Sequence, residues 1–252
     1  MDIELFISPD HPALTGHFPG NPIVPAVVII QAVVRRLGEV TGTRIDEVRQ
    51  LRFQHPLLPG EPLTMSCEPR APYAWRVTLK AGDTLIARGT FGQRTAPLPA
   101  PGTGPAGYRT RRNGAAAYRV LPHSGNMALI DTFETDDTGR VYTSIGHATG
   151  HPLEESGHLA PWVALEYAAQ LYGCRTLLDV DGTSPADPMD RAFIVMVRSL
   201  QVNADWQPGG GRRAELGLQV VSAQGNAAQC EFDARSDGGI VSRGEFTVVS
   251  GR

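Results

Sequence analysis

Two apolar helices, each preceded by a loop, most constrain how this chain of 252 residues can fold. The first begins near Pro25 and is apolar from residue 27 through residue 34 with hardly a polar interruption. The second is expected from about Pro161 to Leu178. Because a helix that is apolar on nearly all sides cannot lie on a surface, each one must be enclosed by other elements. The pattern therefore predicts two halves, each built around a central helix.

Strand-like segments surround both helices and are separated by Pro or Gly turns. In the first half they cover residues 3–7, 61–67, 75–81 and 84–93. In the second half they cover residues 118–120, 127–133, 141–146, 193–202, 214–222, 227–235 and 240–249. A strand, a buried helix and then several antiparallel strands make an α+β arrangement in which a sheet wraps around one helix. The sequence predicts this arrangement twice, as two antiparallel sheets joined in tandem.

The segment 95–117 separates the two halves. It is rich in Pro, Gly and Ala and offers almost nothing to bury, which is typical of a linker. It leaves a first unit of residues 1–94 and a second unit of residues 118–252, both of ordinary domain size. We therefore expect two domains joined by a linker.

The composition excludes several classes of protein. A formal charge of −3 gives no general attraction to nucleic acid, and three scattered cysteines are too few for a disulfide framework or a zinc site. The longest apolar run, residues 24–30, is far shorter than the roughly 20 residues that a membrane helix needs. The N-terminus is acidic where a signal peptide would be basic. We expect a soluble, cytoplasmic protein.

The loop of residues 11–26, HPALTGHFPGNPIVPA, contains the first candidate for chemistry. Its prolines and glycines fix an irregular path into the first helix, and Phe18 and Pro19 should shield His17 partly from water. A partly buried histidine titrates near neutral pH and suits proton transfer. Because an isolated histidine in a turn is more often structural, the surrounding pattern has to decide its role.

That pattern, GHFPGNPIVPA, resembles the active-site signature of the bacterial 3-hydroxyacyl-ACP dehydratases of fatty-acid synthesis (FabZ/FabA-like), which leads into the central helix of a hot-dog fold. Residues 51–65, LRFQHPLLPGEPLTM, resemble a later strand–turn–strand of the same family. The resemblance implies a hot-dog fold for residues 1–94 and places His17 at the catalytic histidine. Gly20 and Ala26, in the same loop, are candidate supporting residues.

The same family has a carboxylate on the central helix, where this chain has Gln31, which cannot ionise. PWVALEYAAQ, residues 161–170, resembles the helix of dehydratase-like proteins from aryl-polyene pigment clusters, which keep a helix glutamate followed by Ala-Gln. Glu166 then lies where Gln31 lies in the first half. Glu166 and Gln170 together are similar to the Asp-x-x-x-Gln of polyketide-synthase dehydratase domains, in which a histidine from one hot-dog and an acid from the other form one site.

The resemblance thus implies a double hot-dog with one complete site, made of His17 and Glu166. The opposite pairing, His151 or His158 with Gln31, lacks an acid. We expect His17 to remove the C2 proton of a 3-hydroxyacyl-ACP thioester. Glu166 has apolar neighbours that should raise its pKa and keep it protonated. It is then expected to donate to the departing 3-hydroxyl, which gives the trans-2-enoyl-ACP.

Other residues are expected to support this chemistry. Gln170 should orient Glu166 or a water, and backbone N–H groups at the helix N-terminus should hold the thioester oxygen. His123, in a Leu-Pro-His segment that resembles the dehydratases, should either line the pocket or cap a strand. His55 and His147 are expected to be structural or exposed. We expect no metal and no redox cofactor, because the sequence has no ligand cluster and no Gly-rich phosphate loop.

The partner that the resemblance implies is an acidic acyl carrier protein bearing the substrate. Five arginines are candidate docking residues, although solvated surface is the commoner fate of such side chains: Arg35, Arg36, Arg109, Arg111 and Arg112. A homodimer, or association with a ketosynthase or reductase of the pathway, is compatible with the sequence. Two other functions stay open. One is an acyl-ACP thioesterase, because hot-dog folds also hydrolyse thioesters, and the other is a non-catalytic acyl-carrier-binding subunit.

Overall fold

The computed structural model describes residues 2–99, 109–119, 121–146, 150–176, 192–206 and 213–251. Within these ranges the chain forms two long helices and one single-turn helix: α1 (Ala26–Thr41), the single turn α2 (Gly114–Ala117) and α3 (Ala164–Thr176). Short 3-10 turns lie at Pro12–Leu14, Gly125–Met127 and Pro161–Val163. None of the helices in the described ranges is long and apolar enough to cross a membrane.

Twelve strands are present in the described residues. The first half contributes β1 (Asp2–Leu5), β2 (Glu47–Phe53), β3 (Leu63–Ala71), β4 (Ala74–Ala81) and β5 (Thr84–Gly92). The second half contributes β6 (Arg109–Asn113), β7 (Thr132–Asp136), β8 (Val141–Gly146), β9 (Ala192–Val202), β10 (Arg213–Gln224), β11 (Ala227–Ser236) and β12 (Gly239–Ser250). Buried residues alternate with more exposed ones along strands such as β11, so one face of the sheet packs on the helices.

All of these strands join one antiparallel sheet in the order β1-β3-β4-β5-β2-β9-β12-β11-β10-β8-β7-β6. The two halves meet where β2 pairs with β9, and Leu51 lies opposite Val197 there, both buried. Outward from this junction the first half contributes β2, β5, β4, β3 and β1, and the second contributes β9, β12, β11, β10 and β8. The halves are therefore related by an approximate two-fold arrangement, and the double hot-dog fold is confirmed. The two sheets expected from the sequence are joined into one, because β2 and β9 pair at their edges.

The helix α1 lies in the core as its apolar sequence predicts. Val27, Ile30, Val33 and Leu37 are each at most 1% exposed. Burying a side chain of this kind stabilises a fold by about 1.5–3 kcal/mol. The helix ends at Gly42, whose φ of 67° lies in the left-handed region and whose N–H bonds to the Gly38 carbonyl. A fixed, buried α1 holds the loop in front of it in a defined position.

That loop is fastened to the second half at Gly16. The Ser124 N–H donates to the Gly16 carbonyl at 3.2 Å. A Cβ at position 16 would lie 2.0 Å from the Ser124 carbonyl oxygen, so a residue larger than glycine would push the two segments apart. Gly16 and Ser124 each precede or follow a histidine of interest, His17 and His123. This contact therefore brings the two histidines, one from each half, to the same place.

Most strand predictions agree with the structure: β4, β5, β8, β9, β11 and β12 begin and end within one residue of the expected ranges. The sequence pattern did not predict β2 as a strand, although its last three residues, 51–53, begin the motif at 51–65. The strand expected at 127–133 begins only at Thr132, because residues 125–127 form a 3-10 turn. The strand expected at 118–120 is wrong for Tyr118, which follows α2 and uses its hydroxyl in a side-chain network; Val120 lies outside the described residues.

The segment expected to be a linker is partly structured. Residues 109–113 form β6, which pairs with β7 through backbone hydrogen bonds, and residues 114–117 form α2. Strand β6 is largely exposed and lies at the end of the strand order, so its sequence needs no apolar alternation. Composition alone therefore missed it. The helix expected to reach Leu178 is described as far as Thr176, and residues 177 and 178 lie outside the described residues.

Candidate active site

A cavity of about 400 Å³ lies between the two halves. Its walls are mainly apolar and come from the loop before α1, from the ends of β2, β9 and β12, and from α3. Three buried titratable side chains from separate segments line it: His17, His123 and Glu166. All three are at most 9% exposed. An apolar cavity with a few converging polar groups is the usual form of a small-molecule site.

His17 presents a defined nitrogen to this cavity. Its Nδ1 lies 3.0 Å from the Ile23 carbonyl oxygen. Because a carbonyl oxygen only accepts, Nδ1 carries the hydrogen and Nε2 of the neutral ring carries the lone pair. Burial lowers the pKa of His17 below its ordinary value, although the Glu166 carboxylate opposes this shift. The ring also stacks on Phe18 at 4.2 Å between centroids. His17 is therefore a neutral base with a fixed orientation.

Glu166 comes from the first turn of α3 and is 3% exposed. Its Oε1 lies 3.3 Å from Nε2 of His123 and accepts from Nε2 of Gln170 at 3.0 Å. Burial alone would raise the pKa of Glu166, but the His123 hydrogen bond and the charges of His17 and His123 outweigh it and lower the pKa to about 2. The expectation of a raised pKa is wrong, because the apolar neighbours in the sequence gave no sign of the two histidines.

Gln170 fixes the orientation of Glu166. Its Nε2 also donates to the Met127 carbonyl at 3.0 Å, and its Oε1 accepts from the Tyr118 hydroxyl at 2.7 Å and from the Leu129 N–H at 3.3 Å. The Leu129 N–H can only donate and the Met127 carbonyl can only accept, so the amide cannot be turned around. Nε2 must therefore donate to Glu166, which was one of the two roles expected for this residue.

His123 lines the cavity, which decides between the two positions expected for it. Its ring centroid lies 5.2 Å from that of His17 and 5.0 Å from that of Phe18. Its Nε2 faces Glu166, while its buried Nδ1 has no hydrogen-bond partner within the described part of the chain. The imidazole is therefore positioned by ring contacts and by the carboxylate.

One donor atom each of His17, His123 and Glu166 lies within 4.8 Å of the other two. The chain thus brings together the histidine and the carboxylate that the sequence pairs across the two halves. Two imidazoles and a carboxylate are also a set that could hold a divalent cation. Sequence spacing does not reveal this set, because its members are separated by 106 (123 − 17) and 43 (166 − 123) residues. We refer to these three residues with Gln170 as the composite site.

The two supporting residues expected in the first loop differ in position. Ala26 opens α1 and lines the cavity, so a backbone N–H at this helix end can donate toward a bound thioester. Gly20, with a φ of 74°, is exposed and is not among the residues that line the cavity. Its function is to turn the loop between His17 and α1. His55, expected to be structural or exposed, is exposed but lines the cavity. His147 lies outside the described residues.

The opposite pairing forms a second cluster, the pseudo-site, made of Gln31, His151 and Tyr167. Nδ1 of His151 accepts from the Leu153 N–H at 3.1 Å, so the neutral ring carries its hydrogen on Nε2, which lies 3.0 Å from the Tyr167 hydroxyl. Gln31 donates weakly to the Leu153 carbonyl at 3.4 Å, and its buried Oε1 has no partner among the described residues. His158 is exposed in a turn, bridged to Glu155.

Comparison with solved structures identifies the fold. The dehydratase domain of RzxB from Pseudomonas fluorescens aligns with a TM-score of 0.77 and 12% identity, covering 98% of this chain and 93% of that one. The dehydratase domain of PpsC from Mycobacterium tuberculosis aligns with a TM-score of 0.72 and 16% identity, covering 99% of this chain and 92% of that one. At these identities the likeness is one of fold, the double hot-dog.

Sequence comparison names the family. Residues 115–251 match the ApeP-like family, described as ApeP dehydratase, and residues 1–89 match the ApeI-like family, described as ApeI dehydratase. The chain belongs to the ApeP-like dehydratase family, with an ApeI-like dehydratase domain in tandem before it. The resemblance of both halves to dehydratases is thereby confirmed.

Curated relatives match a shorter stretch. The 3-hydroxyacyl-[acyl-carrier-protein] dehydratase FabZ of Mannheimia succiniciproducens is 36% identical over 72 residues, which cover 25% of this chain and 48% of the relative. FabZ of Haemophilus influenzae (strain PittEE) is 33% identical over 72 residues, which cover 25% of this chain and 49% of the relative. The chain spans about half the length of the curated relatives it matches.

Proposed function

We propose that this protein removes water from a 3-hydroxyacyl thioester carried on an acyl carrier protein and releases the trans-2-enoyl thioester. The observation that carries the proposal is the composite site: the lone pair on Nε2 of His17 and the Glu166 carboxylate, from different halves, face one apolar cavity. A base and a proton donor on one substrate are what β-elimination of water requires. Membership of the dehydratase families and the named activity of the FabZ relatives support the same reaction.

The first role belongs to His17. Its Nε2 takes the proton from C2, which is acidified by the neighbouring thioester carbonyl, and the new imidazolium lies beside the Glu166 carboxylate. Because Nδ1 keeps its hydrogen bond to the Ile23 carbonyl throughout, the ring need not turn during the transfer. General-base assistance of this kind contributes roughly 10²–10⁴ in rate.

The second role belongs to Glu166, which delivers a proton to the 3-hydroxyl as the C3–O bond breaks. The protons balance, because one enters the histidine–carboxylate cluster from C2 and one leaves it with the water. Glu166 therefore needs to be protonated only transiently, and its low pKa in the free site makes it a strong donor once a proton arrives. Gln170 keeps Oε1 in place, which leaves Oε2 to approach the hydroxyl.

Charge that develops on the thioester oxygen is stabilised at the start of α1. The N–H of Ala26 lies at the positive end of the helix dipole, on the wall of the cavity. Pro25 before it has no N–H, and no side chain caps this end of the helix. The Val28 and Ile29 N–H groups bond to the Pro25 carbonyl, which leaves the Ala26 N–H to face a ligand. No step in this scheme needs a cofactor.

The substrate and the setting are part of the proposal. The apolar walls suit an extended alkyl or aryl-polyenyl chain. The two matched families favour aryl-polyene or related polyketide-like synthesis, with fatty-acid synthesis second. The carrier protein is the partner that brings the chain, and we place the reaction in the cytoplasm. A homodimer or a complex with a pathway ketosynthase or reductase would be compatible with it.

The test is to incubate the purified protein with a 3-hydroxyacyl-ACP and to follow the acyl-ACP by intact mass. Wild type should lose the mass of one water, His17→Ala and Glu166→Gln should abolish the loss, and His151→Ala should retain it. No mass change with any acyl chain would leave a carrier-binding subunit as the better function. Loss of the whole acyl group would instead identify a thioesterase.

A further inference from the structure

Three arginines, Arg52, Arg76 and Arg88, lie together on the outer face of the first half of the sheet, on β2, β4 and β5. We refer to them as the arginine patch. All three are exposed, and they line a surface depression of about 390 Å³ together with Gln50, Gln54, Gly89 and Thr90. The patch is therefore a concave, positively charged surface rather than three isolated side chains.

The positive charge of the patch is not neutralised by the protein. Arg52 lies directly opposite Arg88 in the β2–β5 register, and like charges in this position destabilise a sheet. Arg88 donates from Nε to the neutral Thr78 hydroxyl at 3.2 Å. Glu68 lies opposite Arg76, but its carboxylate bonds to Arg70 instead. Across the described ranges, no carboxylate lies within 4.0 Å of a patch guanidinium.

The patch adjoins the mouth of the active-site cavity. Gln54 lines both the depression and the cavity, and its neighbours Phe53 and His55 line the cavity. Arg52 is two residues before Gln54 on the same strand. A macromolecule seated on the patch would therefore stand at the opening through which a tethered acyl chain enters.

Other candidate arginines lack this combination of unneutralised charge and a position beside the cavity mouth. Arg35 pairs with Glu155, Arg36 with Glu39, and Arg109 with Glu215 and Glu134. Arg111 and Arg112 lie on β6, at the far end of the strand order from the first half. These five are the arginines for which the sequence suggested carrier docking, and they are either neutralised or distant from β2.

We propose that the arginine patch is the docking surface for an acidic acyl carrier protein, whose acidic side chains replace the missing counter-charges and direct its acyl chain into the cavity beside Gln54. The proposal rests on the proposed function for the identity of the partner. Charge complementarity at the rim of a site acts mainly on the rate of encounter, so the patch governs capture of the carrier rather than the chemical step.

The experiment separates docking from chemistry. The triple variant Arg52→Glu/Arg76→Glu/Arg88→Glu is compared with wild type on two substrates that carry the same 3-hydroxyacyl group. One is attached to a bacterial fatty-acid-synthesis carrier protein and the other to free pantetheine. The expected result is a loss of about tenfold or more in kcat/KM with the carrier-bound substrate only. The kcat/KM of the triple variant for that substrate should also depend less on salt concentration than that of wild type. Arg111→Glu, a single charge reversal on β6, serves as the control for a charge change away from the patch and should leave both values unchanged.

Binding of the holo-carrier without an acyl group provides a readout that does not depend on dehydration. Fluorescence anisotropy of labelled holo-carrier should show tight binding by wild type and by Arg111→Glu, and a loss of about tenfold or more in the triple variant. Equal binding by all three proteins would overturn the docking surface, as would equal losses on both substrates. If wild type binds the carrier through the patch but dehydrates neither substrate, docking stands and the proposed reaction fails.

Discussion

The composite site and the pseudo-site each lie where a loop with a histidine meets a central helix. They differ in the direction of one hydrogen bond that this histidine makes with the backbone. In the composite site, Nδ1 of His17 donates to a backbone carbonyl, which leaves a lone pair on Nε2. In the pseudo-site, Nδ1 of His151 accepts from a backbone N–H, which leaves a hydrogen on Nε2. The same residue type is thus a base in one place and a donor in the other. The backbone next to a histidine, rather than the histidine itself, determines which role is available.

The two sites also differ in the hydrogen bonds of the central-helix residue that faces each histidine loop. Glu166 and Gln31 lie in corresponding positions of α3 and α1, six residues after Ala160 and Pro25 respectively (166 − 160 and 31 − 25). Glu166 accepts hydrogen bonds from Gln170 and His123 at one oxygen. Gln31 makes one long bond, and its buried oxygen has no partner within the described residues. The pseudo-site has therefore lost the supporting groups along with the charge.

The largest expected effect is a difference in kcat between variants of the two histidines. His17→Ala removes the base and should lower kcat by roughly 10²–10⁴. His151→Ala should leave kcat within about threefold, since its Nε2 carries no lone pair for substrate. Single-turnover dehydration followed by acyl-ACP mass measures both. Comparable losses in the two variants would show that the pseudo-site also takes part in the chemistry.

Transfer of the carboxylate tests whether charge alone distinguishes the two sites. The double variant Glu166→Gln/Gln31→Glu should be as inactive as Glu166→Gln, a loss of roughly 10²–10⁴ in kcat, because the new carboxylate would face a histidine that has no free Nε2 lone pair. The single variant Gln31→Glu is the control for folding, checked by circular dichroism. Recovery of activity in the double variant would contradict the assignment of the His151 tautomer.

A smaller loss is expected at Gln170. Gln170→Leu keeps the volume but removes the hydrogen bond to the Glu166 carboxylate, and a bond to a charged group contributes about 1.5–3 kcal/mol, which corresponds to roughly 10–150-fold in kcat. Tyr118→Phe, which removes one donor to Gln170 without touching Glu166, should cost less. Both variants also leave buried polar groups unpaired, so kcat is measured well below the midpoint of thermal unfolding. An unchanged kcat in Gln170→Leu would show that Glu166 needs no positioning by this amide.

The smallest effect is a change in the pKa of His17. The proposed reaction requires neutral His17, so kcat/KM should fall as the pH drops through a pKa that burial places below the ordinary value. The Glu166 carboxylate stabilises the imidazolium and raises this pKa. Glu166→Gln should therefore lower the pKa of His17 further. NMR titration of ¹⁵N-histidine-labelled protein measures the shift directly, and an upward shift would contradict the electrostatic coupling.

Much of the fold was predictable because its signals are local. The alternation in β4 and β11 and the apolar run of α1 report burial within a few residues of chain. The exposed edge strand β6 carries no such signal, since its pairing with β7 uses only backbone groups. Position 120 and the segments 147–149 and 177–191 lie outside the described residues. The sequence predictions for these residues therefore stay predictions.

Sequence motifs predicted individual residues of the site but not the contacts between distant segments. The resemblance of the two halves named His17, Glu166 and Gln170, and the roles of these residues stay predictions until activity is measured. The low pKa of Glu166 was not predictable, because it depends on His123, 43 residues away, reaching the same oxygen as Gln170. Nor did spacing alone indicate the contact of Gly16 with Ser124 that brings the two histidines together.

The junction of β2 with β9 joins the halves into one continuous sheet within a single polypeptide. In an assembly of two identical subunits, every substitution is inherited by both symmetry-related positions, so neither site can change alone. Here positions 31 and 166 are encoded separately and have diverged to glutamine and glutamate. Each chain is then expected to turn over one acyl group at a time, and titration with a tight-binding active-site ligand should saturate at one equivalent per polypeptide.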